Sequence, residues 1–310
     1  MDKYIIRKIK KKVKDKYTYN YFNDNNKKLS KSSASKYLNK LYIPPAYDNV
    51  YINKDKTAKV LAIGTDSKNR KQYIYNKSFI KGQTNNKFRK LIEFGENYNY
   101  IVNKIDRDLL LIDESKDKQI AMILKIIIEC NFRIGNNKYV EQNNSYGVST
   151  LQKKHFKVKK NEVFIDFIGK KGVRNKCSLK NKKLIKNIKS KRKSIRKNDN
   201  IFSYRNKNEY VNITSNDVND YLRDIGDYTT KNFRTWGANI ELIKELLDKD
   251  SLKDSILMVS TKLHHTPSIC KKNYLEPNLI AFYNDDPIEF KKYFNKDINT
   301  KFTKFLKEYY

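Results

Sequence analysis

The chain has 310 residues, and its 67 Lys and Arg against 34 Asp and Glu give a formal net charge of +33. This length allows one large or two medium domains, each able to bury a core. The charge favours a polyanionic partner, with nucleic acid ahead of an anionic membrane surface. We expect no membrane span, because the best apolar run, which begins at Ile120, is interrupted by Lys125 and Glu129.

The cysteines are three in number, widely spaced in the sequence, at Cys130, Cys177 and Cys270. An odd number at such spacing predicts neither a disulfide scaffold nor a zinc ribbon. It fits a reducing intracellular compartment better. The N-terminus also lacks the apolar core of a signal peptide.

The first part of the chain has the pattern of a small, mainly β domain. Short β-type runs at residues 50–52, 60–63 and 73–75 are separated by turn-forming segments. We assign residues 1–81 to this domain and interpret residues 1–40 as a solvated or disordered Lys-rich extension, in preference to a specific partner site. Residues 82–87 are polar and without pattern, which predicts a linker.

The pattern becomes mainly helical after the linker, over residues 88–310. Ser115 is placed to cap a helix with a buried apolar stripe. Residues 155–179 have the alternation of three strands joined by turns, and 183–197 form a basic helix candidate. Thr214 and Asp217 form a capping box, and further helices are expected near 232–247 and 254–263. The whole chain is therefore expected to be α+β, a small β domain followed by a larger, mainly α catalytic domain.

A histidine and a tyrosine near the C-terminal end carry the strongest chemical signal. His265 stands nine positions before Tyr274. A tyrosine hydroxyl can attack a phosphodiester and hold it as a covalent ester, provided that cations neutralise the phosphate. Arginine suits this task through its planar fork, and lysine can protonate the leaving oxygen. The sequence offers Arg133, Lys170 and Arg234 upstream, so the constellation needs no metal.

The sequence around these residues resembles the type IB DNA topoisomerases, in particular their small poxvirus-type and bacterial branch. The resemblance covers residues 43–283 and rests on six segments in family order. They are IPPAYDNVYI, IGTDSKNRKQYIY, NNSYGVSTLQKKHFKV, IGKKG, KNFRTWGAN and HHTPSICKKNY. Departures from the family pattern occur at Asn136, Lys171 and His264.

The resemblance implies a role for each of the five candidates. Tyr274 would be the nucleophile that forms a 3′-phosphotyrosyl bond. Arg133, Arg234 and His265 would contact the scissile phosphate, and Lys170 would be the general acid for the 5′ oxygen. Residues matching DNA-binding positions of the family are Gln72, Tyr73, Tyr75, Lys138, Tyr139, Lys231 and Asn239.

The resemblance also implies an activity. We expect relaxation of positive and negative supercoils by transient nicking and strand swivelling, without ATP, metal or another cofactor. The expected partner is duplex DNA, held by a monomer that closes around it as a clamp, with no membrane contact. The branch points to a viral protein in the virion or at a cytoplasmic site of viral DNA replication.

Two other functions remain open at this level. A tyrosine site-specific recombinase shares the catalytic domain, but it typically has histidine where this chain has Lys231, and its N-terminal domain is usually helical. A non-enzymatic basic DNA-binding protein would explain the charge but not five catalytic residue types in family order.

Overall fold

A computed structural model describes residues 3–14, 16–112, 114–160, 162–207 and 209–310. The chain divides into two compact units, residues 1–87 and 88–310. The first is built mainly from strands and the second mainly from helices, so the expected α+β class is confirmed. None of the helices in the described ranges is both long and apolar enough to cross a membrane.

The first unit is an antiparallel sheet of six strands in the order β3-β2-β1-β4-β5-β6. The strands are β1 (Tyr4–Val13), β2 (Lys16–Asn23), β3 (Lys28–Leu29), β4 (Asp48–Asn53), β5 (Val60–Thr65) and β6 (Lys71–Tyr75), and helix α1 covers Lys31–Leu38. Alternate residues of the strands face a small core that contains Ile5, Val50, Ile52 and Ala62.

The interpretation of residues 1–40 as a solvated or disordered extension is wrong for the part that the structure describes. Strand β1 lies inside the sheet, between β2 and β4. Ile5 and Ile6 are almost completely buried, and Ser30 caps α1 by accepting a hydrogen bond from the Ser33 amide at 3.0 Å. Two isoleucines among many lysines are enough here, because strand pairing satisfies the backbone while the lysines remain in solvent.

Residues 82–87, predicted as a linker, lie within helix α2 (Lys77–Glu96). The division between the two units also falls inside this helix, after Lys87. Its second half buries Phe88, Leu91 and Phe94, which accounts for the continuation of the helix through a polar segment. The role of the segment as a linker stays a prediction.

The second unit contains the remaining helices and strands of the described residues. The helices are α3 (Tyr98–Asp108), α4 (Lys116–Cys130), α5 (Asn137–Asn143), α6 (Lys182–Lys193), α7 (Ser215–Arg223), α8 (Thr230–Asp248), α9 (Leu252–Lys262), α10 (Pro267–Asn273), α11 (Pro277–Asp285), α12 (Pro287–Phe294) and α13 (Ile298–Tyr309). The strands are β7 (Phe156–Lys159), β8 (Glu162–Ile168), β9 (Arg174–Ser178), β10 (Ser203–Asn206) and β11 (Glu209–Asn212).

Helix α4 is the centre of this unit, and most of its residues are buried. Ser115 caps it as predicted, by accepting from the Lys118 amide. The predicted capping box is also confirmed, since the Thr214 hydroxyl accepts from the Asp217 amide and the Asp217 carboxylate accepts from the Thr214 amide. Strands β7, β8 and β9 form the predicted three-stranded antiparallel element.

The cysteines differ from expectation. Cys130, at the end of α4, forms a disulfide with Cys177 on β9, while Cys270 is a buried free thiol. The sequence separation of 47 residues concealed the pair. Only the packing of β9 beside the end of α4 brings the two sulfurs together.

Candidate active site

Helix α10 sets the distance between His265 and Tyr274. The backbone turns at His264, with φ at +56°, and Thr266 then caps the helix. Tyr274 is the residue that ends it. The seven residues of this helix, with Pro267 in the first turn, therefore bring the His265 and Tyr274 side chains to the same side of it. The Nε2 of His265 lies 3.2 Å from the Tyr274 hydroxyl.

Arg234 approaches the same two residues from helix α8. Its guanidinium lies 5.3 Å from the centre of the Tyr274 ring, and Nη2 is 3.3 Å from His265 Nε2. The residue is only 4% exposed, and Nη2 also donates to the Leu263 carbonyl oxygen at 3.3 Å. Nε and Nη1 have no hydrogen-bond partner among the described residues. Such unpaired buried donors are costly unless a ligand completes them.

Arg133 completes the cationic cluster from the segment that follows α4. Its Nη2 lies 2.8 Å from His265 Nε2. The backbone carbonyl of Arg133 accepts from the Val148 amide at 2.9 Å, which pins the segment to the chain 15 residues later. Gly135 and Gly147 make this contact possible, because a Cβ on Gly147 would lie 2.3 Å from the Gly135 nitrogen.

Lys170 lies on the turn between β8 and β9, and its side chain is exposed. The turn contains Lys171 and Gly172 at positive φ, 64° and 75°. Burial is the main cause that lowers the pKa of His265 and the charge of Lys170 is the smallest, which puts the lysine within electrostatic reach of that histidine.

The electrostatics of the site favour a neutral His265. Burial, followed by the charges of Arg133 and Arg234, lowers the pKa of His265 to about 4. Burial likewise lowers the pKa of Arg234. Because arginine can only donate, a neutral imidazole with Nε2 as acceptor satisfies the short contact to Arg133.

Asn239 was predicted among the DNA-binding residues, but the structure places it in the interior, with no exposed surface. Its Nδ2 donates to the Tyr274 carbonyl oxygen at 2.9 Å, and its Oδ1 accepts from the Glu276 amide at 2.8 Å. The amide therefore fixes the main chain from the Tyr274 carbonyl to Glu276, and a contact of Asn239 with DNA stays a prediction.

The other predicted DNA-binding residues are more accessible. Tyr73 and Tyr75 stack on β6 with ring centres 6.2 Å apart and are 49% and 39% exposed. Lys138 and Tyr139 are exposed on α5, and Lys231 is exposed on the first turn of α8. Gln72 is half-buried, and its amide donates to Asp66 at 3.0 Å.

Two features of the site escaped the sequence analysis. Gly147 lies in one of the family segments, and its close approach to Gly135 has no local signal in the sequence. Glu276 is fully buried, caps α11 at the Leu279 amide and accepts from the Tyr310 hydroxyl at 2.7 Å. The E-P pair that begins α11 could have indicated this cap.

Across the described ranges, no group of three His, Cys, Asp or Glu side chains is arranged to hold a metal ion. The groups that converge on one point are instead two arginines, a histidine and a tyrosine.

Comparison with known proteins shows the family to which the chain belongs. A family model described as the catalytic core of eukaryotic DNA topoisomerase I matches residues 76–286, more than half of the chain. The chain belongs to the type IB DNA topoisomerase family. The N-terminal domain of bacterial DNA topoisomerase IB matches residues 18–66.

Individual relatives in the family come from viruses. The chain is 32% identical to DNA topoisomerase 1B of Acanthamoeba polyphaga mimivirus over 320 residues, covering 97% of this chain and 94% of the relative. It is 24% identical to DNA topoisomerase I of monkeypox virus and to DNA topoisomerase 1B of vaccinia virus, each over 80% of this chain and 78% of the relative. The predicted membership of the type IB enzymes is thus confirmed.

Proposed function

We propose that the chain relaxes supercoiled duplex DNA by nicking one strand through Tyr274, letting the broken strand swivel, and resealing it. The observation that supports this proposal is that two nitrogens of the Arg234 guanidinium lack a hydrogen-bond acceptor among the described residues. Its Nε and Nη1 are buried without partners in the described residues, beside the Tyr274 ring and 3.3 Å by Nη2 from His265. A phosphate oxygen would supply the acceptors that these donors lack.

In the proposed reaction the Tyr274 oxygen attacks the scissile phosphorus. A bond forms between them, the bond from phosphorus to the 5′ oxygen breaks, and the phenolic proton leaves to solvent. Lys170 protonates the departing 5′ oxygen. Arg133 and Arg234 stabilise the charge that develops on the non-bridging oxygens, and His265 does so in the tautomer that carries its proton on Nε2. Religation is the reverse reaction.

Neither ATP nor a metal ion is needed in this proposal. The phosphotyrosyl ester conserves the energy of the broken bond, so resealing requires no further input. Torsion in the DNA drives rotation in either direction, so positive and negative supercoils should both relax. All five proposed catalytic residues come from one chain and one compact unit, which supports action as a monomer.

We propose further that the two units act together as a clamp around duplex DNA. The exposed aromatic pair Tyr73 and Tyr75 supports a DNA contact by the first unit. The exposed Lys138, Tyr139 and Lys231 support a contact by the second. Because the relatives that match most of the chain are viral, we also propose a viral protein that acts where viral DNA is replicated or packaged.

The test is relaxation of positively and negatively supercoiled plasmid in EDTA without ATP, with wild type beside Tyr274→Phe. Wild type should relax both plasmids, and Tyr274→Phe should relax neither while still binding DNA. Relaxation by Tyr274→Phe at the wild-type rate would contradict the assignment of Tyr274 as the nucleophile.

Two further outcomes distinguish the alternatives. A covalent adduct trapped on short duplexes, without plasmid relaxation by the wild type, would favour a recombinase. Absence of both adduct and relaxation would leave a basic DNA-binding protein.

A further inference from the structure

A two-stranded ribbon extends from the six-stranded sheet of the first unit. Strand β1 pairs with β4 only over Tyr4–Arg7, and β2 pairs with β3 only at Tyr21 and Phe22. Residues 8–13 of β1 and 16–20 of β2 therefore pair with each other alone. We name these two segments the lysine ribbon.

The base of the lysine ribbon is fixed to the rest of the sheet. The Ile9 amide donates to the Asp48 carboxylate at 2.8 Å, and the Tyr19 hydroxyl donates to the Pro45 carbonyl oxygen at 3.1 Å. The Arg7 guanidinium stacks on the Tyr19 ring, 4.3 Å from its centre. From Ile9 to Val13 the ribbon continues for about 13 Å, at about 3.3 Å per residue, with both edges open. It is an anchored projection.

The charge of the lysine ribbon is almost entirely of one sign. Its two segments contain five Lys residues, at positions 8, 10, 11, 12 and 16, and no acidic residue, and Asp15 stands between them in the sequence. Lys8, Lys11 and Lys16 are exposed, and none of them forms an ion pair with another described residue. Like charges held this close repel one another, and a polyanion relieves that repulsion.

The three lysines share a face with the exposed tyrosines of the sheet. Residues directly opposite in neighbouring strands point to the same side. One such row runs from Tyr73 through Ile63, Tyr51 and Ile6 to Phe22. A residue two positions along a strand from a member of this row points to the same side of the sheet. Together with Tyr73 and Tyr51, such residues form one continuous surface.

Register places the lysines on this surface. Lys8 follows Ile6 by two residues and is paired with Asn20. Alternation along β2 then puts Thr18 and Lys16 on the same side as Asn20, and Lys11 is paired with Thr18 across the bulge in β1. The lysines thus stand on the tyrosine-bearing face, not on the face that covers the core.

The spacing of this face suits duplex DNA. Strand β1 is three strands away from β6, about 14 Å at about 4.8 Å per step. The major groove of B-DNA is about 12 Å wide. Lys8 also lies two residues along β1 from the Tyr73 row, which puts it about 16 Å from Tyr73, and Lys11 and Lys16 lie farther out. If the tyrosines of β6 contact one side of a groove, the lysine ribbon therefore lies beyond the width of that groove, on the side of a flanking phosphate backbone.

We propose that the lysine ribbon is an accessory DNA-binding element that contacts backbone phosphates through Lys8, Lys11 and Lys16. This inference rests on the proposed function, because the lysine ribbon would bind the same duplex as the active site. Lysine is a point charge without base-reading geometry, so the contact adds affinity and not sequence preference. Neither matched family model covers residues 8–16.

The experiment measures the salt dependence of binding to a 40-base-pair duplex by fluorescence anisotropy. The variant is Lys8→Gln/Lys11→Gln/Lys16→Gln, and the matched control is Lys31→Gln/Lys36→Gln/Lys40→Gln. The control removes the same charge from exposed residues in and after α1. Each lost phosphate contact lowers the slope of log K against log salt by about 0.9, so the ribbon variant should lose about 2.7. The control should keep the wild-type slope.

A conservative variant separates charge from structure. Lys8→Arg/Lys11→Arg/Lys16→Arg should keep the wild-type slope, whereas damage to the ribbon itself would lower it. Equal slopes for the ribbon variant and the α1 control would overturn the proposal. So would aggregation of the ribbon variant with an unchanged slope, because lysines also protect open strand edges from pairing with other chains.

One other result would also count against the proposal. Loss of binding to vesicles of 30% phosphatidylserine, with an unchanged DNA slope, would assign the ribbon to a membrane surface. Failure of the proposed function would be recognised by a different result. The wild type would then leave supercoiled plasmid unrelaxed, whatever the salt dependence of DNA binding by the variants.

Discussion

Asn239 holds the main chain that carries Tyr274, with one amide bonded to the Tyr274 carbonyl at 2.9 Å and to the Glu276 nitrogen at 2.8 Å. The asparagine projects from α8, the same helix that carries Arg234. The proposed nucleophile and a proposed phosphate-binding arginine are therefore positioned from one rigid element, which reduces the freedom lost on reaching the transition state.

Asn239→Ala should slow DNA cleavage much more than it weakens DNA binding. Without the amide, Tyr274 is free to shift, and a displacement of about 1 Å can cost about 100-fold in rate. Single-turnover formation of the covalent adduct, measured beside the Kd for the same duplex, checks this. Asn278→Ala is the control, because Asn278 bonds the Glu276 side chain and not the backbone beside Tyr274. Equal loss of binding and cleavage by Asn239→Ala would show a DNA contact instead.

Gly147→Ala should disable Arg133 without any direct contact to DNA. The new methyl group would lie 2.4 Å from the Gly135 Cα and 2.7 Å from the Arg133 carbonyl oxygen, both of them backbone atoms. The segment that carries Arg133 must then move. We expect at least a 100-fold loss in the cleavage rate, by the same positional argument.

Gly82→Ala is the matched control for this steric effect. Gly82 lies in α2 with nothing within 4 Å of an added Cβ. Alanine in an exposed helix should stabilise the chain by about 0.5–1 kcal/mol and leave cleavage unchanged. Wild-type cleavage by Gly147→Ala would show that the glycine contact does not position Arg133.

Stability should fall as the pH drops below neutrality. The pKa values of His155, His264 and His265 are each lowered to about 4, in every case chiefly by burial. The unfolded chain takes up these protons near pH 6.5 and the folded chain only near pH 4. The unfolded state therefore binds more protons in this window, and the free energy of unfolding decreases as the pH falls through it.

Thermal unfolding at pH 7.5 and pH 5.5 measures this effect above the range where carboxylates titrate. His264→Asn should remove about a third of the decrease, since these are the only three histidines of the chain. Asparagine tolerates the φ of +56° at this position. An unchanged melting temperature between the two pH values would contradict the lowered pKa values.

The disulfide between Cys130 and Cys177 should make stability sensitive to reductant. It closes a segment that contains both Arg133 and Lys170. Reduction should lower the free energy of unfolding by about 2–4 kcal/mol, the usual range for a loop of this length. Denaturant titration with and without dithiothreitol checks this.

Cys130→Ser/Cys177→Ser should match the reduced protein and no longer respond to dithiothreitol. Cys270→Ala should still respond, because that thiol is unpaired in the structure. A dithiothreitol effect confined to the protein that retains Cys270 would exclude the disulfide as its cause.

The sequence by itself determined the class of fold, the family and the identity of the candidate catalytic residues. The helix after Ser115 and the three strands around Lys170 follow from local periodicity and capping, which act within a few residues. The family segments identify the candidates Arg133, Arg234, His265 and Tyr274. Each of these residues lies in a short sequence motif that is recognisable without knowledge of the fold.

Tertiary structure alone decided which side chains meet. The pairing of Cys130 with Cys177, the contact of Gly135 with Gly147, and the bonds from Asn239 to the backbone at Tyr274 all join residues far apart in sequence. The ordered structure of residues 3–14 and 16–40 was also not predictable, because a strand rich in lysine is stabilised by its neighbours in the sheet and not by its own composition. Such contacts depend on the packing of whole elements, which no local pattern records.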